Sequence, residues 1–320
     1  MHYFITGGAG FIGSNLTDKL LALGGKVTIY DNFSTGRLEF INEATQSTEC
    51  KVLKGDLLDK EKLKSAMVDI DHVYHLAANA DVRFGIDHPE RDIKQNTIAT
   101  FNVLEAMRHN GVSRISFSST GSIYGEPEVF PTPEDAPFPI QTSLYGASKL
   151  AGEGLISAYC QAYGFQGSVF RFVSVLGERY THGHVFDFCR ELLNDPVNLH
   201  VLGNGKQRKS YMYIQDCLDA LLIVNRQNYG GFNVFNLGTD GVIEVNDSIG
   251  WICEELGVKP KVTYAGGERG WVGDSPFIYL DTAKIRRLGW NPQLTIREGV
   301  KKTVKWLLEN QWCLGRISEK

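Results

Sequence analysis

Tyr145 and Lys149 stand four residues apart in Tyr145-Gly146-Ala147-Ser148-Lys149. On a helix this spacing puts a phenol and an ammonium on one face, one turn apart. A positive charge within about 4–6 Å favours the phenolate, so such a tyrosine can act as a base near neutral pH. An exposed helix pair gives the same spacing, and the pair alone does not decide between the two. Ser118-Ser119-Thr120 adds a second observation, because it closes the strand-like run Arg114-Ile115-Ser116-Phe117 and presents hydroxyls at its carboxyl end. Open parallel sheets bind ligands at that edge.

A third group lies near the start of the chain. In Thr6-Gly7-Gly8-Ala9-Gly10-Phe11-Ile12-Gly13, the glycines Gly7, Gly10 and Gly13 follow the apolar run 2–5 and precede a helical stripe of Ile12, Leu16 and Leu20. That pattern suits a sharp strand-to-helix turn whose missing Cβ atoms admit a pyrophosphate, which the free N–H groups and dipole of the helix start at Phe11 and Ile12 then face. A second apolar run, 26–30, ends in Asp31, about 20 residues on, where an acid hydrogen-bonds a ribose 2′-OH and repels a 2′-phosphate. The unit predicts NAD as cofactor rather than NADP. A turn cap at Asp31-Asn32 is the alternative reading of the acid.

These groups need a scaffold, and the rest of the chain supplies one. Strand-like runs at 50–56, 72–78, 114–119 and 167–172 alternate with helical patterns at 58–67 and 93–107 and with a helix that Ser143 caps. This rhythm predicts a Rossmann-like doubly wound parallel sheet of order 3-2-1-4-5-6 over residues 1–172. The fourth strand runs into small residues, Ala77 and Ala78, which permit close approach of a cofactor. Beyond it the rhythm loosens, with helical patterns near 185–193 and 215–224 and short runs at 199–202 and 232–236. Residues 173–320 are therefore expected to form mainly a smaller C-terminal α/β cap for the substrate, with segments returning to the first domain. The proline-rich stretch 127–139 reads as a loop bordering the site.

Composition narrows the partners. The 320 residues are 42% hydrophobic and carry a formal net charge of −4, which supports a sizeable core and offers no general attraction to nucleic acid or anionic membranes. Cys50, Cys160, Cys189, Cys217, Cys253 and Cys313 are dispersed without C-x-x-C spacing, so neither a zinc site nor a disulfide framework is expected. No apolar run approaches a membrane span. A soluble cytoplasmic protein without metal is the expectation.

Taken together, the motifs resemble the extended short-chain dehydrogenase/reductase superfamily, and within it the nucleotide-sugar epimerases of the UDP-glucose 4-epimerase kind. The likeness spans almost the whole chain, through TGGAGFIG at 6–13, Asp31-Asn32, Gly55-Asp56-Leu57, His75-Leu76-Ala77-Ala78, Ser118-Ser119-Thr120 with Tyr124-Gly125, and Tyr145 to Lys149. The resemblance implies that Asp31 and Asn32 hold the adenosine ribose end, that Asp56 and Leu57 flank the adenine, and that Ala77 and Ala78 line the cofactor channel. It also implies a catalytic set of Thr120, Tyr145 and Lys149, with the last two also touching NAD, and a homodimer paired through the helices at 92–108 and 143–163. Relatives that dehydrate at C6 carry an Asp-Glu pair after the catalytic hydroxyl. This chain has Gly121-Ser122 there, so a nucleotide-sugar 4-epimerase acting through a transient 4-keto sugar is expected. A dehydrogenase that releases the keto sugar shares the first half-reaction, and a silent NAD-binding scaffold is the alternative from another class.

The substrate side departs from the family pattern. Ser174 stands where many relatives have an Asn, and Lys209 stands where a phosphate-binding Arg is frequent, with Arg208 beside it. A lysine is a point charge where arginine is a fork, so pyrophosphate geometry is expected to differ. Arg269 matches the family's later phosphate-binding arginine, although a solvated loop charge would look the same. In the loop 178–184, His182 and His184 can reach a sugar or nucleotide, but no third metal ligand is in view.

Overall fold

The computed structural model describes residues 1–79, 84–137, 140–227 and 229–315. The first half supplies β1 (His2–Thr6), β2 (Lys26–Asp31), β3 (Cys50–Lys54), β4 (His72–His75), β5 (Arg114–Thr120) and β6 (Gln166–Phe172). Between them run α1 (Phe11–Ala22), α2 (Leu38–Ile41), α3 (Lys60–Ala66), α4 (Phe84–Asp87), α5 (Pro89–Asp92), α6 (Ala99–His109) and α7 (Leu144–Tyr163). The second half adds the strands β7 (Ser174–Leu176), β8 (Asn198–Val201), β9 (Arg208–Lys209), β10 (Tyr211–Tyr213), β11 (Phe232–Leu237), β12 (Ile243–Glu244), β13 (Lys261–Tyr264) and β14 (Phe277–Ile278). Its helices are α8 (His184–Asn194), α9 (Ile214–Gln227), α10 (Val245–Leu256), α11 (Ala283–Arg286) and α12 (Ile296–Glu309).

Seven strands form one parallel sheet in the order β11-β6-β5-β4-β1-β2-β3. The expected order 3-2-1-4-5-6 is present, with β11 added outside β6. The rhythm of the sequence groups that segment with the cap, yet it pairs with β6 from Phe232 opposite Gly167 to Leu237 opposite Phe172. Local periodicity cannot reveal this, because β7 to β10 intervene between the two strands.

The sheet is covered on both faces, as parallel strands require. Alternation in β1 sends Phe4 to one core and Ile5 to the other, and both are fully buried. The Ile5 core continues into the cap through Val185, Phe186, Tyr211, Ile249 and Val300. The cap itself is built on small sheets, β7 with β10, β8 with β13, and β9 between β12 and β14. Its loop after β7 docks on α1: Tyr180 packs edge-on against Phe11 with ring centroids 5.6 Å apart, and Asn15 Nδ2 donates to the Glu178 carbonyl at 3.0 Å.

Two local features differ from the simple reading. Residues Ile93–Ile98 wind as a π-helix before α6, where the spacing predicts an α-helix throughout. Asn96 in this segment is buried, on the same face as Thr100, Val103 and Met107. In the loop 127–139, Thr132 bridges to Leu280, while Phe138 and Pro139 lie outside the described residues. No helix among the described residues is long and apolar enough to cross a membrane.

Candidate active site

The ends of β1, β2, β4 and β5 and the starts of α1 and α7 meet at the carboxyl edge of the sheet. The turn after β1 is tight because it has no room for side chains: a Cβ at Gly7 (φ +69°) would lie 2.8 Å from Ala77 Cα, and one at Gly13 would lie 2.2 Å from the Gly7 carbonyl oxygen. The Thr6 hydroxyl accepts the N–H groups of Leu76 and Ala77 at 3.2 Å each, which fixes the end of β4 against the turn. At the start of α1, Gly10 provides no side-chain cap. The N–H groups of that first turn are thus available to an anion.

Asp31 closes β2 beside this turn. Its carboxylate accepts the Ala9 N–H at 2.9 Å and the Phe33 N–H at 2.8 Å. Burial lifts its pKa above the ordinary carboxyl value, and those two bonds oppose the lift. Asn32 Nδ2 donates at 3.0 Å to Asp56, whose other oxygen accepts the Leu58 N–H, and the buried Leu57 presents its carbonyl to Asn102. The glycine cradle, the uncapped helix start and an acid on the next strand together fit a dinucleotide.

Ser143 caps α7 by accepting the Gly146 N–H at 3.0 Å, as the sequence predicts. Half-buried Tyr145 lies in the first turn and hydrogen-bonds Thr120 at the end of β5. Thr120 Oγ1 also accepts the Ser122 N–H at 3.1 Å. One turn on, Lys149 is 2% exposed, and its ammonium sits 4.4 Å from the centre of the Phe117 ring. Thr120, Tyr145 and Lys149 are therefore gathered at one strand end, next to the glycine turn.

The electrostatics correct one expectation. The phenol of Tyr145 is pushed up to about 12 by burial, against the pull of its bond to Thr120 and with Asp92 adding to the rise. Burial brings Lys149 down to about 7, and Glu153 opposes this. Burial is the largest cause at both groups, so within the protein's own field the phenol is not held low.

Sequence reasoning overlooked the groups that hold this set in place. His75 is fully buried between the hydroxyls of Thr6, at 2.7 Å, and Thr100, at 2.9 Å, and burial with the Lys149 charge lowers it to about 3. Asn96 Nδ2 donates to Ser148 Oγ at 2.8 Å, Ser148 Oγ to the Tyr145 carbonyl at 2.8 Å, and the Asn79 N–H to Asn96 Oδ1 at 2.8 Å. Only the spacing of Glu153, four residues after Lys149, was visible beforehand.

On the cap side, Lys209 and Arg269 converge and Arg208 does not. Lys209 Nζ pairs with Asp274 at 2.5 Å, while Arg269 Nη1 donates to the Asp274 carbonyl at 2.7 Å and its Nη2 pairs with Glu126. Strand alternation turns Arg208 to the other face of β9, over the Phe277 ring at 4.7 Å. Ser174 is exposed at the start of β7, in register with Tyr211. His184 turns into the cap and bonds Ser248 at 2.8 Å, whereas His182 stays exposed near Tyr180. No cluster of three or more His, Cys, Asp or Glu that could hold a metal occurs among the described residues.

Comparison with known proteins places the chain in a family. The chain is 34% identical to a putative UDP-glucose 4-epimerase of Methanocaldococcus jannaschii, covering 96% of this chain and 98% of the relative. It superposes on the UDP-glucose 4-epimerase of Thermotoga maritima, solved with UDP-glucose, with a TM-score of 0.88 and 32% identity over 97% of this chain and 100% of the other. The UDP-glucose 4-epimerase of Thermus thermophilus, solved with NAD, gives a TM-score of 0.85 and 31% identity over 99% of this chain and 100% of the other. With residues 3–238 matching its family model as well, the chain belongs to the NAD dependent epimerase/dehydratase family.

Proposed function

We propose that the protein is a nucleotide-sugar 4-epimerase that acts through a transient 4-keto sugar. The observation that carries this reading is the meeting of Tyr145, Thr120 and Lys149 beside the glycine turn, followed by Gly121-Ser122 where a dehydrating enzyme needs acids. Residues 1–172 with β11 would hold the cofactor, through Gly7, Gly10, Phe11, Ile12, Gly13, Asp31, Asn32, Asp56, Leu57, Ala77 and Ala78. Residues 173–320 would mainly hold the nucleotide sugar, with Ser174, Lys209 and Arg269 nearest its phosphates and Arg208 at the rim.

When bound, NAD would accept the hydride from the sugar C4 and would add positive charge to the site. Tyr145 takes the proton of the sugar 4-OH and later returns it, so it must spend part of the cycle as phenolate. Its upward shift to about 12 means that it needs positive charge nearby for this. Lys149 supplies one such charge. Thr120 donates to or accepts from the same oxygen, which keeps that oxygen in line with Tyr145. The cap cations anchor the diphosphate while the keto sugar turns and presents its other face.

Because the hydrogen at C4 leaves and returns without meeting water, reaction of UDP-glucose or UDP-galactose in D₂O should give the C4 epimer with no deuterium at C4, C5 or C6. Label at C5 or C6 would point to dehydration chemistry, and accumulation of the keto sugar to a releasing dehydrogenase. The partner is proposed to be a second copy of the chain. Ile93, Ile98 and Phe101 ahead of and along α6, and Leu144 at the start of α7, are apolar and exposed. A monomer in sedimentation at micromolar concentration would remove that proposal.

A further inference from the structure

Glu153 stands one helical turn beyond Lys149, as Tyr145 stands one turn before it, so the three share one stripe of α7. Glu153 is 3% exposed and Arg171 9%. The carboxylate is gripped from two strands. Arg171 Nη2 donates to Oε2 at 2.8 Å and its Nε to Oε1 at 3.1 Å, while the Ser119 hydroxyl donates to Oε1. Arg171 is fixed in turn, donating to Tyr124 Oη at 2.6 Å and to the Glu134 carbonyl at 2.9 Å. The carboxylate therefore cannot swing out of the stripe.

Several other charged or titratable groups near α7 have roles or partners of their own. His75 on β4 is neutral between its two threonines, and Asp92 at the end of α5 acts on Tyr145. Glu105 and Arg108 of α6 pair with each other, and Glu105 also bonds Tyr159 near the far end of α7. Lys94 pairs with Glu90 at the surface. A buried ammonium needs negative charge or a π face beside it to stay protonated. Phe117 supplies the face, and Glu153 is the carboxylate on the stripe.

We infer that Glu153 is a positioning residue that keeps Lys149 charged, and that Ser119 and Arg171 set how much of its negative charge reaches the ammonium. The inference rests on the reading of Tyr145 and Lys149 as the reacting pair. The direction of the effect agrees, since burial lowers Lys149 and Glu153 opposes it.

The test is NMR of the full chain labelled with carbon-13 at the lysine ε position, titrated through neutrality, with the Lys149 signal assigned by its loss in Lys149→Met. Glu153→Gln should move the Lys149 midpoint acidward by about one pH unit or more. Ser119→Ala keeps the carboxylate but removes one of its donors, and should move the midpoint the other way. Loosened packing would not produce opposite shifts. An unchanged midpoint in folded Glu153→Gln, or an acid shift in Ser119→Ala, overturns the inference. If Glu153→Gln does not fold, Ser119→Ala decides alone, an alkaline shift supporting the inference and no shift overturning it. The titration needs no substrate, so its result stands apart from the reaction. An inactive wild-type chain would sink the epimerase reading only, and an active one with unmoved midpoints would sink only the role of Glu153.

Discussion

Asp31 in the sheet half and Lys209 in the cap are both charged groups beside the proposed ligands, and they are satisfied in opposite ways. Asp31 is met by neutral donors, the N–H groups of Ala9 and Phe33. Lys209 is instead met by the carboxylate of Asp274, and Arg269 by that of Glu126. Neutral donors fix the position of a charge and leave it uncancelled, whereas a counter-ion cancels it until a ligand displaces the partner. The sheet half is thus built in advance for its ligand. If phosphates bind there as proposed, the cap would have to exchange one partner for another.

The largest effect should come from the chemistry on the preformed side. Tyr145→Phe removes the proton acceptor but keeps the ring that fills the start of α7, so folding and NAD binding should persist while kcat falls by roughly 10²–10⁴-fold. Stopped-assay product analysis with a UDP-hexose checks this. Near-normal turnover would take Tyr145 out of the mechanism.

Next in size is the acid that neutral donors hold. Asp31→Ala deletes a charge that no ion pair among the described residues cancels, and should weaken NAD by about tenfold or more while narrowing the preference over NADP. Titration calorimetry with both cofactors measures it. Unchanged selectivity would mean that the two backbone N–H groups use up the carboxylate, and the contrast between the halves would fail on the sheet side.

The same contrast explains what the sequence made legible. The glycine turn, Asp31, Thr120 and the Tyr145–Lys149 pair each belong to a motif read along one strand or one helix, where period and spacing fix which groups face each other. The sheet order followed from the same local rhythm. The cap escaped because its contacts join distant segments: Lys209 and Asp274 are 65 residues apart, and β9 is sandwiched between β12 and β14. Glu153 was one turn from Lys149 in plain view, but its grip comes from Ser119 and Arg171 on two other strands. Asn96 lies four residues before the buried Thr100, in line with the inner face of α6, but the partners that give it a role, Ser148 and Asn79, belong to other segments. The upward shift of Tyr145 was missed for a related reason, since spacing reveals a neighbouring charge and not the depth of burial that opposes it.

The smallest effect tests the cap directly. The Arg269–Glu126 pair is 42% and 48% exposed, and such pairs contribute only about 0.2–1 kcal/mol. Arg269 has a second hold, the Asp274 carbonyl at 2.7 Å, which Glu126→Gln leaves in place. The substitution should therefore leave the guanidinium where it is and free its charge. If the cap cations receive phosphates by exchange, KM for the nucleotide sugar should fall by up to about fivefold with kcat unchanged, and added salt should erase the gain, because exposed charges are screened. The cycle with Arg269→Met isolates the pair: Glu126→Gln in that background should do nothing, since the charge it frees is gone. A raised KM in Glu126→Gln would mean that the carboxylate holds Arg269 in its binding pose. The cap would then be preformed like the sheet half, with counter-ions serving as braces, and the difference between the two regions would reduce to the chemistry of the brace.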